Sequence, residues 1–326
     1  MKISGGKMRA AIILMLGILL ILGGCSSNKG GASGSDGNNK QLTIGFVTIN
    51  QEAYFFTESI RGAEEQAKKM GVKLVVQNPD NDPVKQSNQI ENLVNQKVDA
   101  IIVDSIDTKG VIPAMKEAAN ANIPVISIDA IVKSHAVSTQ IGVDNAESSK
   151  KLGEYVNKYV KENMKEPAKL GAVGALNSFI QVMRQNAFLD TVKQTPDLKV
   201  VTIVDGKNVQ QTAMTAAENL MTGHPEMNIA FASGEPALIG LASAVKSQHK
   251  EKQLSVFGWD LSKQAIQGIE EGWVKAVVQQ HPEKFGSEGV SAAVKLAKKQ
   301  KVAKTINAPV TIVTKDNVDQ FKHLFK

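Results

Sequence analysis

The chain has 326 residues, a formal net charge of +6 and a single cysteine, Cys25. Three basic residues, Lys2, Lys7 and Arg9, stand in an N-terminal leader without an acidic residue, so the rest carries only +3, scattered rather than clustered as a nucleic-acid surface requires. One cysteine excludes an intrachain disulfide and, placed where it is, leaves no thiol for catalysis or metal binding.

From Ala10 to Leu22 the leader is an unbroken run of apolar residues and glycine. At about 13 residues it is short for a bilayer span and suits the apolar region of an export signal. It ends in Leu22-Gly23-Gly24-Cys25, which resembles the lipobox of bacterial lipoproteins. That resemblance implies removal of residues 1–24, lipidation of Cys25 (palmitate among the acyl chains) and anchoring on the extracytoplasmic face of the cell membrane. Residues 26–40 (SSNKGGASGSDGNNK) have almost nothing to bury, and residues 25–40 are expected to be a flexible tether.

The body from about Gln41 repeats one pattern to its end. Short apolar, β-branched runs alternate with helix-length amphipathic segments. The runs are Leu42–Ile49, Val72–Gln77, Ala100–Val103, Pro124–Ile128, Leu170–Val173, Val200–Val204, Ile229–Ala232, Leu254–Trp259 and Lys275–Gln279. Continuous apolar runs suit strands covered on both faces of a parallel sheet. Asp82-Pro83 and Glu235-Pro236 read as N-caps followed by a proline at the first helical position. Gly71, Gly223 and Gly272 are placed for left-handed helix ends. The strands are too many for one sheet, so the pattern predicts two doubly wound α/β lobes divided near Val143-Asp144. The lysine-rich stretch Lys295–Lys304 reads as a solvated helix end.

In open α/β sheets ligands bind beyond the carboxyl ends of the strands, so the residue after each run is informative. Asn50, Gln51, Glu52 and then Tyr54-Phe55-Phe56 follow the first run. Asp129 follows Pro124–Ile128, and Ser233-Gly234-Glu235 follows Ile229–Ala232. Asp260 and Gln280 follow Leu254–Trp259 and Lys275–Gln279. Carboxylates and amides meet the donor and acceptor of each sugar hydroxyl in pairs, and aromatic faces pack against apolar ring faces. Three consecutive aromatics stand out where Phe, Trp and Tyr make up only 5% of the chain. Arg184 stands out because, of 38 Lys and Arg, only Arg9, Arg61 and Arg184 are arginine. A planar five-donor fork was kept where lysine is otherwise used. Plainer roles remain open: a helix core for Phe55 and Phe56, N-caps for Asp129 and Asp260, a surface ion pair for Arg184.

Catalytic signals are weak. The five histidines share no metal-ligand spacing, and the chain has no phosphate-binding glycine loop and no Gly-x-Ser-x-Gly elbow. Neither metal nor cofactor is expected, and an exported hydrolase is the weakest class.

These residues resemble the ribose-binding-protein group of bacterial solute-binding proteins, of the type I periplasmic binding protein fold. The resemblance rests on Phe55-Phe56 followed by Gly62-Ala63 and Gly71, Ala121-Asn122-Ile123-Pro124-Val125-Ile126 with Asp129, Asp144-Asn145, Arg184 with Phe188, Asn219-Leu220-Met221-Thr222 with His224-Pro225, and Gly258-Trp259-Asp260. It implies two lobes joined by three hinge crossovers, with residues 41–143 and 281–308 in the first and 144–280 and 309–326 in the second. It further implies a monomer that closes on a monosaccharide or polyol and delivers it to an ABC permease. By matching position, Phe55 and Phe56 would stack on the sugar ring, and Asp129, Arg184, Asp260 and Gln280 would bind its hydroxyls. The sequence departs from the ribose pattern at Asn208 (an aromatic there), Gly234 (an asparagine) and Ala130 (an arginine). Ile49 and Ala53 replace small polar contacts. The expected ligand is therefore not ribose itself, with Glu52, Asn208 and Glu235 as the candidates for altered specificity. A ligand-presenting sensor for a chemoreceptor, histidine kinase or furanone-like quorum signal would show the same features. A sugar-responsive repressor would need a DNA-binding helix pair where this chain has an export signal.

Overall fold

The computed structural model describes residues 41–52 and 54–325. The leader, the tether, Cys25 and Ala53 lie outside the described residues. The first lobe opens with β1 (Thr43–Val47), α1 (Tyr54–Met70), β2 (Lys73–Gln77) and α2 (Pro83–Asn95), followed by β3 (Ala100–Asp104), α3 (Ile112–Asn120), β4 (Val125–Ile128) and β5 (Val137–Gly142). Then come α4 (Asn145–Asn163), β6 (Ala168–Gly174), α5 (Phe179–Val192), β7 (Leu198–Asp205) and α6 (Gln210–Gly223). The second half continues through β8 (Ile229–Ala232), α7 (Glu235–Ser247), β9 (Ser255–Trp259), α8 (Lys263–Glu271) and β10 (Val274–Gln280). The chain ends with α9 (Pro282–Ala297), β11 (Thr305–Asn307) and β12 (Val310–Val313), then two short 3-10 turns.

Two six-stranded sheets result, in the orders β11-β5-β4-β3-β1-β2 and β12-β10-β9-β8-β6-β7. Every pairing is parallel except β10 with β12. The orders are the same once β6–β10 are matched to β1–β5. The chain passes between sheets three times: between β5 and β6, between β10 and β11, and between β11 and β12. Strands buried on both faces account for the apolar runs, as in β3 and β4, where every residue is buried.

Three strands, β5, β11 and β12, were not visible as apolar runs. Strand β5 alternates buried and half-buried residues (Val-Ser-Thr-Gln-Ile-Gly), and the other two are three- and four-residue edge strands. Asp82 caps α2 as expected, accepting from the N–H groups of Val84 and Lys85. Glu235 does not cap α7: it is the first helical residue, and Gly234 precedes it with no side-chain cap. Gly71 and Gly272 are left-handed, at φ 67° and 85°. Gly223 is not; it is the last residue of α6, and His224 follows at φ −130°. The lysine-rich stretch is the end of α9 and an exposed loop into β11.

Helices α1 and α9 pack on one face of the first sheet at glycines that leave no room for a side chain. A Cβ at Gly286 would lie 1.8 Å from the Ser59 carbonyl oxygen, and one at Gly62 would lie 2.1 Å from that of Glu283. One apolar cluster joins this face to the α4–α5 face of the second sheet, with Phe285, Phe46, Phe188, Phe231 and Trp259 fully buried.

Candidate functional site

Asp129 follows β4 and Asp260 follows β9, the matching strands of the two sheets. Both hold a left-handed backbone, at φ 58° and 62°. An aspartate tolerates that conformation better than most residues because its short side chain can bond locally. Each backbone N–H then donates to the next strand: Asp129 to the Ile141 carbonyl at 2.9 Å, Asp260 to that of Val278 at 2.8 Å. Neither caps a helix; α8 is capped by Ser262.

Around Asp260 the second lobe builds a closed polar cluster. Arg184, 6% exposed on α5, donates from Nε to Asn145 Oδ1 at 2.7 Å and from Nη1 to Asp260 Oδ2 at 3.2 Å. Gln280 Nε2 donates to the other carboxylate oxygen, Oδ1, at 2.9 Å. The guanidinium lies 3.8 Å above the centre of the Trp259 ring, and Trp259 Nε1 donates to Ser149 Oγ at 3.1 Å. Two hydrogen bonds and the stacked ring hold the plane of the fork, which is what a planar, cation–π-stacked arginine provides and lysine does not. Arg61, by contrast, is a surface residue paired with Glu58 and Glu65.

The first lobe faces this cluster with Asp129. Burial pushes its carboxyl up to about 6, Arg184 opposes the rise and Asp260 adds to it. The Arg184 guanidinium is disfavoured by burial and supported by Asp260 and Asp129. Asp129 and Arg184 thus interact electrostatically from different lobes.

Of the remaining sequence candidates, Glu235 is drawn into the same field. Its edge is exposed, yet crowding on its other sides, followed by the Asp260 charge, pushes it up to about 7. Phe55 and Phe56 meet edge-on with centroids 5.5 Å apart, and Phe55 also meets Phe285 of α9 at 5.3 Å. Both phenyl rings are half-buried, and Phe55 packs against the core cluster. Asn208 is exposed and accepts from Gln181 Nε2 at 2.5 Å. Glu52 is exposed, with its backbone N–H bonded to Asn50 Oδ1 at 3.0 Å, and no side-chain contact joins it to the cluster among the described residues.

Two groups emerge that the strand-end reading missed. Asp104 closes β3 and is 1% exposed, with no hydrogen-bond partner for either carboxylate oxygen among the described residues. Its carbonyl oxygen is held by Gln86 Nε2 at 2.8 Å, which fixes the backbone and leaves the carboxyl unbonded. Burial, then the Asp129 charge, hold its acid well above the usual carboxylate range. An acidic residue directly after a fully apolar run was its signal, the same that marked Asp129 and Asp260. The second is Gln181, 7% exposed, whose Oε1 accepts from Ser233 Oγ at 2.9 Å. A Cβ at Gly234 would meet its amide at 2.6 Å. The Gln181 amide therefore occupies the space that a side chain at Gly234 would fill.

A surface recess of about 870 Å³ lined by Lys158, Lys161, Lys165 and Pro196 lies at the opposite, amino ends of β6 and β7 and holds none of these residues. Among the described residues no three His, Cys, Asp or Glu converge on a metal position, and no helix is long and apolar enough to cross a membrane.

Residues 44–301 match the family model described as a periplasmic binding protein domain. The ribose import binding protein RbsB of Bacillus subtilis is 29% identical over 94% of this chain and 99% of its own. A solute-binding protein of an ABC transporter from Agrobacterium vitis, solved with bound D-fucose, superposes with a TM-score of 0.71 at 26% identity, over 85% of this chain and 97% of that one. The arabinose-binding protein AraP of Geobacillus stearothermophilus superposes with a TM-score of 0.79 at 20% identity, over 86% and 99%.

Proposed function

The chain belongs to the periplasmic binding protein family, and from that premise we propose that it is an extracytoplasmic lipoprotein that captures a monosaccharide, polyol or closely related small molecule and hands it to an ABC permease. It is a binding protein and not an enzyme. The observation that carries the ligand class is the polar cluster at matching strand ends of both lobes: Asp129 on one side, Arg184, Asp260 and Gln280 on the other. Paired carboxylates, a fixed guanidinium and an amide are the groups that hold vicinal hydroxyls, and Phe55 and Phe56 are half-buried rings of the same lobe as Asp129. Support for delivery to a permease rather than presentation to a receptor comes from the import protein named among its relatives.

The proposed lobes are residues 41–143 with 281–308, and 144–280 with 309–326, a division supported by the separation of β1–β5 with β11 from β6–β10 with β12. Opening and closing about the three crossovers is the proposed mechanism. A ligand that touches Asp129 and Arg184 together binds the closed arrangement better than the open one and shifts the population toward it. Cys25 would tether the body to the membrane, and a single acyl chain would hold it only marginally, so more than one is expected.

Titration calorimetry of the full chain against pentoses, hexoses, hexosamines and polyols tests the proposal. Saturable 1:1 binding of one such compound is the expected result. A folded, ligand-free preparation that binds none of them refutes it.

A further inference from the structure

We propose that this site is built for a ligand carrying a protonated amine, an amino sugar or aminocyclitol, in preference to a neutral sugar; this rests on the solute-binding assignment above. Four carboxyl groups form a chain of mutual electrostatic contacts between the lobes: Asp104 with Asp129, Asp129 with Asp260, and Asp260 with Glu235. Among the described residues Arg184 is the one cation whose charge acts on any of Asp104, Asp129 and Glu235, and it does so only on Asp129. It is already committed to Asp260, Asn145 and the face of Trp259. A helix start accounts for Glu235 alone, the first residue of α7; Asp104, Asp129 and Asp260 stand at strand ends and cap no helix.

Asp104 gives the excess a direction. It is 1% exposed, its backbone is pinned by Gln86, and both of its oxygens lack a donor among the described residues. A buried carboxyl in that position either keeps a proton or meets a cation, because an unpaired buried charge is strongly unfavourable. A metal ion does not fit, since no three acidic or imidazole ligands converge on one position among the described residues. An ammonium group does, because it brings three donors and a positive charge to a place that has four lone-pair sites and no donor. Buried without a donor among the described residues, the Asp104 acid is held toward its protonated form in the ligand-free protein. An ammonium ligand displaces that proton, which leaves for solvent as the carboxylate pairs with the ligand. A hydroxyl supplies one donor and no charge.

The test compares D-glucosamine and D-galactosamine with D-glucose, D-galactose, D-ribose and myo-inositol by calorimetry on the full chain at pH 7.5, in two buffers of different ionisation enthalpy. An amino sugar is expected to bind at least about tenfold tighter than its neutral parent, the scale of one charge-assisted contact, with net proton release. Asp104→Asn should erase that preference while still melting cooperatively, and Glu235→Gln, at the exposed edge, should weaken it without erasing it. A neutral sugar bound as tightly as its amino counterpart overturns the inference and leaves the solute-binding assignment intact. Binding of none of these compounds, nor of any other sugar or polyol, overturns both. Amine preference that survives Asp104→Asn overturns the assignment of the subsite.

Discussion

Asp129 and Asp260 are the same residue in two copies of one lobe: each follows the matching strand, each is left-handed, and each donates its N–H to the neighbouring strand. They differ in what meets the carboxylate. Asp260 has both oxygens bonded, by Arg184 and Gln280. Asp129 faces the same guanidinium from across the lobes and is pushed up to about 6 by burial.

Removing the Asp260 carboxylate takes away the anion that holds Arg184 and Gln280. Asp260→Ala should weaken ligand binding at least about 100-fold by calorimetry, the scale of a truncated charged hydrogen-bond partner. Unfolding in urea should show a cost of about 1.5–3 kcal/mol, moderate because Arg184 keeps Asn145 and Trp259. The fold should be retained.

Stability should depend on pH through the raised carboxyls. Asp104, Asp129 and Glu235 hold protons in the folded state to higher pH than in the unfolded chain, with Asp129 at about 6 and Glu235 at about 7. Between about pH 4 and 7 the folded state therefore binds more protons, and these groups lower its stability as pH rises. Asp104→Asn removes the buried acid that the Asp129 charge raises. The variant should melt higher than the parent at pH 8, and the difference should shrink toward pH 4. A difference that grows on acidification would contradict the raised acid at Asp104.

At Gly234 the backbone is extended, at φ −172°, so an added methyl costs nothing there by conformation. Its cost comes from the Gln181 amide at 2.6 Å. Gly234→Ala should displace that amide from Ser233 and Asn208 and destabilise by about 1–3 kcal/mol. In a double-mutant cycle with Gln181→Ala the costs should fall short of additivity by about 0.5 kcal/mol or more. Additive costs would mean that the two positions do not share this space.

Gly286 is a sterner case, because what its Cβ would strike is backbone: the Ser59 carbonyl oxygen at 1.8 Å. Gly286→Ala forces α1 and α9 apart and should cost about 3 kcal/mol or more, at the high end for overpacking. Thermal melting of the variant checks this. Ala293→Gly in the same helix, where no such contact exists to be strained, serves as the comparison.

How much was legible depended on burial. Strands covered on both faces announced themselves as apolar runs, and nine were read within one or two residues of their ends. Strand β5 was silent because Ser138 and Gln140 interrupt its apolar positions, and β11 and β12 because short edge strands need few apolar residues. Reading the residue after each run found Asp129, Asp260 and Gln280, and counting arginines found Arg184. Asp104 follows the run Ala100–Val103 directly and carries the same signal, but it is itself the last residue of a fully buried strand, and nothing in the sequence says that its carboxyl is left without a hydrogen-bond partner among the described residues. Gln181 and Asn145 sit on helices, where nothing in local spacing says which polar side chain turns inward; their positions follow only from the packing of α4 and α5 against the second sheet.

The duplicated plan is unequally furnished. At the end of β3 the first lobe presents Asp104, whose carboxylate oxygens have no hydrogen-bond partner among the described residues; at the matching end of β8 the second presents Ser233, a hydroxyl already bonded to Gln181. A perfectly doubled site would accept a molecule either way round. This one has a head and a tail, so a small ligand that lies between the lobes has a single orientation in which its groups find partners. Mirror-related and end-reversed isomers of the true ligand should therefore be told apart, even though the walls that hold them share one design.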